Sequence, residues 1–354
     1  MDIKIVTMNS AYNYGAMLQA YGLQETIKSL SCNPKFIDQR GLIKRQDKKS
    51  LKSLIYFLFG LKYKKEVLEG HAKFDDFIKH YQSLTEENYY NYEKLKTNPP
   101  KADMFIAGSD QVWNPGTLRP INFLEFVKDG TKKISYAASL GVSKIPELKK
   151  DKFKRYIEDF DSISMREEQG KNEVQELTNK KVEVHFDPVF LLNRSEWQKI
   201  GNKIDEINYP YILCYILYRP KWLNKYLKKL RKKTGLKVIL VCNEVYRNVY
   251  HNKMIRNAGP LEFLWLMDNA EIVITSSFHG TAFASIFNKP FYTMVNPTAP
   301  ARISNLMNKL QFSERLLFEG NKFEFQDINY SEVNKTIDNE RRKAVDYLKK
   351  SIGK

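Results

Sequence analysis

Short apolar segments of strand length alternate along this chain with longer segments of helical periodicity. Ile3 to Met8 precedes apolar residues at helical spacing from Ala16 to Ile27, and further strand patterns occur at Met104 to Ala107 and Lys133 to Leu140. Repeated strand–helix alternation favours a parallel sheet with helices on both faces. The 354 residues correspond to two domains at roughly 150 residues each. The sequence therefore predicts an α/β fold of two doubly wound, Rossmann-like domains that face each other across a cleft.

The expected domain boundary lies in the polar stretch from Asn193 to Asn208. We expect an N-terminal domain at 1–200, a C-terminal domain at 201–325 and a closing amphipathic helix at 326–354. Residues 43–100 interrupt the alternation with a charged, aromatic stretch, which predicts a helical insertion rather than sheet.

The charge balance is strongly basic, and cysteine is rare. Fifty-eight lysine and arginine residues against 41 acidic residues give a formal charge of +17, which favours anionic partners. The three cysteines lie far apart, which predicts neither a disulfide framework nor a zinc site and is typical of a reducing compartment. The amino terminus has no signal-peptide pattern, and no apolar run is long enough to cross a bilayer. We therefore expect a cytoplasmic protein.

Several catalytic motifs are absent from the sequence. It contains no GxxxxGK[ST], GxGxxG, HExxH or GxSxG pattern, which argues against P-loop enzymes, dinucleotide dehydrogenases, zincins and α/β-hydrolases. Asp159-Phe160-Asp161 is similar to the Asp-x-Asp metal clasp of some sugar-nucleotide transferases. Such a pair arises easily by chance at the end of an amphipathic helix, and we expect no metal.

The strongest local motif runs from Thr275 to Thr281, between a strand pattern and a helix pattern. It places His279 at the carboxyl end of a strand and near a helix N-terminus, where the helix dipole and N–H groups attract an anion. A histidine there can donate a proton near neutral pH. The alternative is a histidine that caps the helix. The candidate anion-binding residues around it are Ser276, Ser277, Gly280 and Thr281.

Two arginines occupy similar places. Arg166 ends a short strand pattern, and Arg302 opens a helix. A guanidinium group at such a place can bind a carboxylate or a phosphate through two parallel hydrogen bonds. For Arg166, a salt bridge to Glu167 or Glu168 is an equal alternative.

Two aspartates also follow strand patterns. Asp110 is a candidate base that accepts a proton from a sugar hydroxyl. Asp187 could accept such a proton as well, but it precedes Pro188, and this pair favours a turn.

Taken in order, these motifs resemble the polysaccharide pyruvyl transferase family over about residues 3 to 310. The segments that carry the resemblance are Ala11 to Tyr21, Ala107 to Pro115, Tyr136 to Gly141, Ser164 to Glu167, Phe186 to Val189 and Ala270 to Pro290. The resemblance implies a GT-B-like fold. It also implies transfer of a pyruvyl group from phosphoenolpyruvate to a saccharide, with formation of a ketal, in cell-surface or exopolysaccharide biosynthesis. Phosphoenolpyruvate is then a co-substrate, and no cofactor is implied.

The resemblance also assigns roles to residues. Arg166 and His279 match the functional arginine and histidine of the family. Some members carry an arginine two residues before the histidine, where this chain has Ser277, so the anion clamp falls to other residues such as Arg302. His279 and Asp110 are the expected catalytic residues, and the donor would be bound by Arg166, Ser276, Ser277, Gly280, Thr281 and Arg302. The saccharide acceptor, commonly lipid-linked in this family, would be bound by Asn13, Gly15, Ser109, Gln111 and Trp113.

Two other functions stay open. One is a glycosyltransferase of the same fold with a nucleotide-sugar donor, and the other is a non-catalytic protein that binds an anion or a membrane surface. The basic stretch Lys228 to Lys237 is typical of a solvated helix face, so we expect no nucleic-acid partner. Residues 49–65 combine apolar and aromatic residues with lysines, a pattern that suits the headgroup layer of an anionic membrane. A helix packed on the N-terminal domain is the alternative for that segment.

Overall fold

The structure is a computed structural model that describes residues 1–40, 42, 52–244, 247–297, 300–321 and 328–354, with the helical backbone alone over 52–62. Contacts divide the chain into two compact units. Unit 1 comprises Met1–Arg45, Ile78–Leu192 and Thr336–Lys354, and unit 2 comprises Gln46–Phe77 and Asn193–Lys335. Unit 2 thus takes in Gln46–Phe77 and resumes at Asn193, and most of the C-terminal helix belongs to unit 1.

Unit 1 is built on a five-stranded parallel sheet of order β3-β2-β1-β4-β5. Its strands are β1 (Asp2–Val6), β2 (Asn33–Asp38), β3 (Leu84–Asn88), β4 (Met104–Ala107) and β5 (Lys132–Ser135). A two-stranded parallel ladder, β6 (Ile163–Met165) and β7 (Val182–Val184), adjoins β5 through isolated bridges. The helices assigned wholly or mainly to this unit are α1 (Tyr14–Ser29), α3 (Tyr92–Thr97), α4 (Glu147–Glu158), α5 (Glu168–Gln175) and α11 (Tyr330–Ile352).

Unit 2 repeats this topology. Its five-stranded parallel sheet has the order β10-β9-β8-β11-β12. The strands are β8 (Tyr211–Tyr215), β9 (Lys237–Val241), β10 (Lys253–Ile255), β11 (Ile272–Thr275) and β12 (Phe291–Thr293). The helices are α2 (Lys52–Tyr81, whose last turn falls in unit 1), α6 (Arg194–Ile200), α7 (Leu223–Thr234), α8 (Pro260–Asp268), α9 (Phe278–Ile286) and α10 (Ala301–Lys309).

The central strands are buried on both faces, as expected for a parallel sheet covered by helices. In β4, all four residues are buried. Met104 and Ile106 belong to the apolar cluster that contains Leu348 of α11, whereas Phe105 belongs to the cluster on the other face, with Phe153 of α4. This alternation follows from the two-residue period of a strand. The two parallel sheets with their helices confirm the predicted α/β class with two Rossmann-like units.

Each sheet has one topological switch point. In unit 1, the chain moves from β1 outward to β2 and β3 and then returns to place β4 on the other side of β1. In unit 2, β8 and β11 flank the corresponding position. Ligands of doubly wound sheets bind beside the carboxyl ends of the strands at such points. The loops after β1, β4, β8 and β11 are therefore the places to look for a site.

The prediction of an insertion without sheet at 43–100 is wrong for β3. Leu84–Asn88 pairs in parallel with β2 at the edge of the sheet. Its sequence, Leu-Thr-Glu-Glu-Asn, lacks apolar alternation because only Thr85 is buried. An edge strand of this kind carries charge on its exposed positions. Hydrophobic periodicity could not reveal it.

No helix over the described residues is both long enough and apolar enough to cross a bilayer. Much of the segment 49–65, including residues 49–51 and the side chains of 52–62, lies outside what the structure describes. Its contact with a membrane surface stays a prediction.

The C-terminal helix α11 should contribute strongly to the stability of unit 1. Leu348 is fully buried, and the neighbouring Tyr347 hydroxyl donates a hydrogen bond to the Ser135 carbonyl at the end of β5 (2.8 Å). We predict that Leu348→Ala lowers the free energy of unfolding by about 2–5 kcal/mol, because it leaves a cavity in the core. The exposed Lys349→Ala should change it by less than about 0.5 kcal/mol. Urea denaturation measures both, and equal effects would contradict the packing of α11 on this core.

Candidate functional site

The loops after β1 and β4 meet at the switch point of unit 1. The Thr7 hydroxyl after β1 donates to the Ser109 carbonyl after β4 (3.0 Å). Further along the first loop, the Asn13 side chain caps α1 by accepting a hydrogen bond from the Ala16 N–H (3.1 Å). Gly15 is buried in the first turn of the same helix. The structure thus brings Asn13, Gly15 and Ser109 to one edge of the sheet, and gives Asn13 a capping role.

The residues after β4 form a tight turn. Ser109 is buried, and its hydroxyl oxygen lies 2.7 Å from the Ala137 carbonyl and 3.2 Å from Asp187 Oδ2. Asp110 has a φ of 65°, the left-handed region that aspartate tolerates better than most side chains. Its carboxylate accepts the Gln111 N–H (2.9 Å). The backbone holds Asp110 in a conformation of the kind that clusters at functional sites.

Gln111 lies against Gly141 of the loop after β5. A Cβ on Gly141 would come within 2.2 Å of Gln111 Oε1, and Gly141 has a φ of +68°. Only glycine fits there without strain.

Trp113 does not serve as a surface for an acceptor sugar, and the sequence-based expectation is wrong. Its side chain is 0% exposed and stacks on Phe123, with ring centroids 5.3 Å apart. The indole N–H donates to the Asn122 carbonyl (3.1 Å). The indole therefore packs in the core and leaves no surface on which a sugar ring could stack.

Arg166, directly after β6, is the centre of a buried ionic network. Its guanidinium donates to Asp187 Oδ2 (2.7 Å) and Glu167 Oε1 (3.1 Å). The three side chains are 2%, 0% and 6% exposed. Ser139 donates to the same Glu167 oxygen (2.6 Å), and Ser109 contacts Asp187. The network joins the loops that follow β4, β5, β6 and β7.

The charges around Arg166 fix its protonation. Burial lowers the pKa of the guanidinium. The negative charges of Glu167, Asp187 and Asp110 raise it by more than burial lowers it, so the pKa lies above its ordinary value. The guanidinium is a permanent cation bound to two carboxylates. A donor anion would have to compete with both, so the expectation that Arg166 clamps an anion finds no support in this geometry. Of the two salt bridges considered from the sequence, the one to Glu167 forms.

The Asp-Pro sequence predicts that Asp187 forms a turn, and the structure gives this residue a second role as well. One carboxylate oxygen accepts the Val189 N–H (3.1 Å) and caps a short 3₁₀ turn. The other oxygen binds Arg166. Sequence reasoning missed the second role because the partner is 21 residues away.

In unit 2, the turn after β11 places His279 as the second residue of α9. The helix is capped by Ser277, whose hydroxyl accepts the Gly280 N–H (3.3 Å). The alternative that His279 caps the helix is therefore wrong. His279 is buried, at 7% exposure.

Ser276 links the two loops at the switch point of unit 2. Its hydroxyl oxygen accepts the N–H groups of Leu217 (2.9 Å) and Tyr218 (2.8 Å), which follow β8. A hydroxyl with two accepted bonds still has one O–H to donate. Among the described residues, no acceptor contacts that proton. Ser276 can therefore donate to a ligand.

Three other predicted donor-binding residues build the turn instead. The Ser277 hydroxyl serves as the cap, and the Thr281 hydroxyl donates to the Ser277 carbonyl (3.0 Å). Gly280 is required for close packing, since a Cβ there would lie 2.3 Å from Thr275 Oγ1. These residues hold α9 tightly on the sheet.

Arg302 is the second residue of α10 and is half-buried. Residues 298 and 299 of the preceding loop lie outside the described part of the chain.

The aspartates of Asp159-Phe160-Asp161 both bind one lysine. The Lys133 ammonium contacts Asp159 (3.3 Å), and the Lys133 N–H donates to Asp161 (2.8 Å). Over the described residues, no group of three or more His, Cys, Asp or Glu is arranged to hold a metal.

The network around Arg166 predicts a loss of stability when one partner is removed. Glu167→Ala should lower the free energy of unfolding by about 1–3 kcal/mol, because it removes one of the two carboxylates bonded to the buried Arg166 and leaves the buried Ser139 hydroxyl without its acceptor. Glu168→Ala should change it by no more than about 1 kcal/mol, because Glu168 is exposed and its pair with Lys171 lies on the surface. Thermal or urea denaturation of the two neighbouring variants measures the difference. Similar values would show that the network is not a structural centre of unit 1.

Comparison with known proteins supports the same fold. A search of curated proteins found no match. The UDP-GlcNAc 2-epimerase from Neisseria meningitidis, solved with UDP-GlcNAc, is similar over 99% of this chain and 99% of its own, with a TM-score of 0.53 and 12% identity. The UDP-GlcNAc 2-epimerase from Methanocaldococcus jannaschii matches over 96% of this chain and 92% of its own, with a TM-score of 0.48 and 12% identity. At these identities the likeness concerns the fold alone, and the first structure, with a TM-score above 0.5, supports a GT-B-like fold.

The family comparison covers most of the chain. The model of the polysaccharide pyruvyl transferase family matches residues 13–297. The match includes Asp110, Arg166 and His279, while Arg302 lies just beyond its end. Because it spans well over half of the 354 residues, this chain belongs to the polysaccharide pyruvyl transferase family.

Proposed function

We propose that this chain transfers a pyruvyl group from phosphoenolpyruvate to two hydroxyls of a saccharide, with release of phosphate. The observation that carries the proposal is the turn from Thr275 to Thr281, inside the region that matches the family model. There a buried histidine follows a central strand and lies in the first turn of a buried helix. A helix N-terminus favours an anion, and phosphoenolpyruvate carries a carboxylate and a phosphate.

The reaction needs an acid at the methylene carbon of phosphoenolpyruvate. Protonation there makes the adjacent carbon electrophilic. One sugar hydroxyl adds to that carbon and gives its proton to a base, and phosphate leaves with its C–O bond electrons. A second hydroxyl then adds to close the ketal, and its proton leaves with the phosphate. His279 supplies the first proton in this proposal, and the α9 N-terminus stabilises the anionic groups.

Two further residues complete the proposed donor site. Ser276 has an O–H proton to donate, because its oxygen already accepts two backbone N–H groups. Arg302 provides a cation early in α10. This chain has Ser277 where some family members carry an arginine, so Arg302 takes the role of the anion clamp.

We assign the acceptor to the loop after β4 in unit 1. Carboxylates are good acceptors for sugar hydroxyls, and Asp110 is only partly buried. Asp110 is the proposed base. Arg166, Glu167 and Asp187 hold this loop in place, and Arg166 is therefore a positioning residue rather than an anion clamp.

The acceptor proposed here is a saccharide of cell-surface or exopolysaccharide biosynthesis, and lipid-linked sugars are the first candidates to test. A cytoplasmic protein at the inner face of the membrane would meet such acceptors. A phosphate-release assay with phosphoenolpyruvate and candidate lipid-linked sugars tests the function. Activity with a nucleotide-sugar donor instead of phosphoenolpyruvate would replace this proposal by a glycosyltransferase.

We predict that His279→Ala lowers turnover by about 10²- to 10⁴-fold, the usual contribution of a general acid. The change in donor affinity should be much smaller, because the proton is transferred in the transition state. His251→Ala is the matched control, since His251 lies in a loop of the same unit and contacts the Val249 carbonyl. Single-turnover phosphate release gives the rate, and calorimetric titration gives the affinity. Near-normal turnover in a folded His279→Ala variant would remove this residue from the mechanism.

We predict the opposite pattern for Arg302→Ala. A charge-assisted hydrogen bond contributes about 1.5–3 kcal/mol, so the dissociation constant of phosphoenolpyruvate should rise roughly tenfold or more. The exposed Arg155→Ala in α4 removes the same charge and should leave donor affinity unchanged. Calorimetric titration of both variants decides this point. Unchanged affinity in Arg302→Ala would assign the anion clamp to another residue.

A further inference from the structure

The segment 207–243 carries positive charge without any acidic residue. It contains nine lysine and arginine residues and no aspartate or glutamate. These nine charges equal more than half of the net charge of +17. Six of them lie on the single helix α7. The charge of the chain is therefore concentrated on one element of unit 2.

The outward face of α7 is a row of lysines. Leu223, Leu227 and Leu230 are buried in the core of unit 2. At about 100° per residue, the four residues on the opposite side of the helix are Lys225, Lys228, Lys229 and Lys232. All four are exposed. We call these four residues the lysine row.

The lysine row is not neutralised within the protein. Over the described part of the chain, none of its four members forms an ion pair with a carboxylate. Arg231 flanks the row and is also exposed. Like charges three and four residues apart destabilise a helix. The row therefore costs the fold stability, unless an external anionic surface compensates for the repulsion.

Two features favour a lipid surface over a nucleic acid. The row consists entirely of lysine, a compact point charge, rather than arginine, which recognises phosphates through its planar fork. Single-stranded nucleic acid also needs exposed aromatic faces for base stacking. Two aromatic rings near the row already contact a lysine, because Lys228 lies over Tyr250 (5.6 Å) and Lys237 lies over Tyr209 (4.0 Å).

We propose that the lysine row of α7 docks unit 2 on an anionic lipid bilayer. The apolar side of α7 is committed to the protein core, so the contact is electrostatic and involves no insertion of the helix. This contact is distinct from the membrane contact predicted for residues 49–65. It also does not depend on the proposed pyruvyl transfer.

The test compares binding of the full chain to two kinds of vesicle. At low salt, the protein should sediment with vesicles of equimolar phosphatidylcholine and phosphatidylglycerol. It should stay in the supernatant with vesicles of pure phosphatidylcholine. Raising the salt from about 0.1 M to about 1 M shortens the screening length from about 10 Å to about 3 Å and should release the protein. Binding that survives high salt would overturn an electrostatic contact.

A triple variant, K225Q/K229Q/K232Q, isolates the lysine row. Each lysine near an anionic membrane contributes about fivefold in binding, so the variant should bind about 100-fold more weakly. Its thermal stability should be unchanged or higher, because repulsion along α7 is relieved. The matched control, K154Q/K349Q/K350Q, removes three exposed lysines from α4 and α11 of unit 1 and should bind like the unchanged protein.

Three further results would contradict the proposal. If both triple variants lose binding equally, net charge and not the lysine row is responsible. If K225Q/K229Q/K232Q binds as tightly as the unchanged protein, membrane contact occurs elsewhere, for instance through residues 49–65. If an RNA duplex at the same phosphate concentration as the anionic lipid releases the protein from the vesicles, the partner is a nucleic acid.

Discussion

Two neighbouring parallel strands cannot be joined by a tight turn, and the crossover that they require determines the architecture of both units. Each crossover returns the chain to the same edge of the sheet, so the loops after the strands gather at the carboxyl ends. Where the winding direction reverses, two such loops separate and leave room for a ligand. In each unit, one hydroxyl group bridges the two loops at this point. Thr7 binds the Ser109 carbonyl in unit 1, and Ser276 binds the N–H groups of Leu217 and Tyr218 in unit 2.

The two carboxyl edges differ in charge although they share one topology. In unit 1, Arg166 is surrounded by Glu167, Asp187 and the nearby Asp110, so the carboxylates outnumber the cation. In unit 2, the first turn of α9 holds hydroxyl groups and His279 and has no acidic residue. A surplus of carboxylates suits the hydroxyls of a sugar, whereas a helix N-terminus suits an anion. The proposed assignment of acceptor to unit 1 and donor to unit 2 follows from this difference.

The positive charge on α7 differs from the charge around Arg166 in its exposure to solvent. Arg166 is buried and bound to carboxylates, and its charge stabilises loops within unit 1. The lysines of α7 are exposed and belong to a segment without acidic residues. Buried and exposed cations therefore have different consequences in this protein: one holds the fold together, and the other is available to a partner.

The α/β class, the alternation of strands and helices, and the position of His279 near a helix N-terminus after a buried strand could all be predicted from the sequence. These properties are local, because they depend on the period of apolar residues and on the order of short motifs. It did not reveal β3, because the polar Leu84–Asn88 becomes a strand only when β2 offers it a partner. Nor did it show that Trp113 is buried, that Ser277 rather than His279 caps α9, or that Arg166 binds Asp187 as well as Glu167. Except for the local cap at Ser277, those outcomes depend on which residues, distant in the chain, are brought together by the fold, and this cannot be read from local patterns.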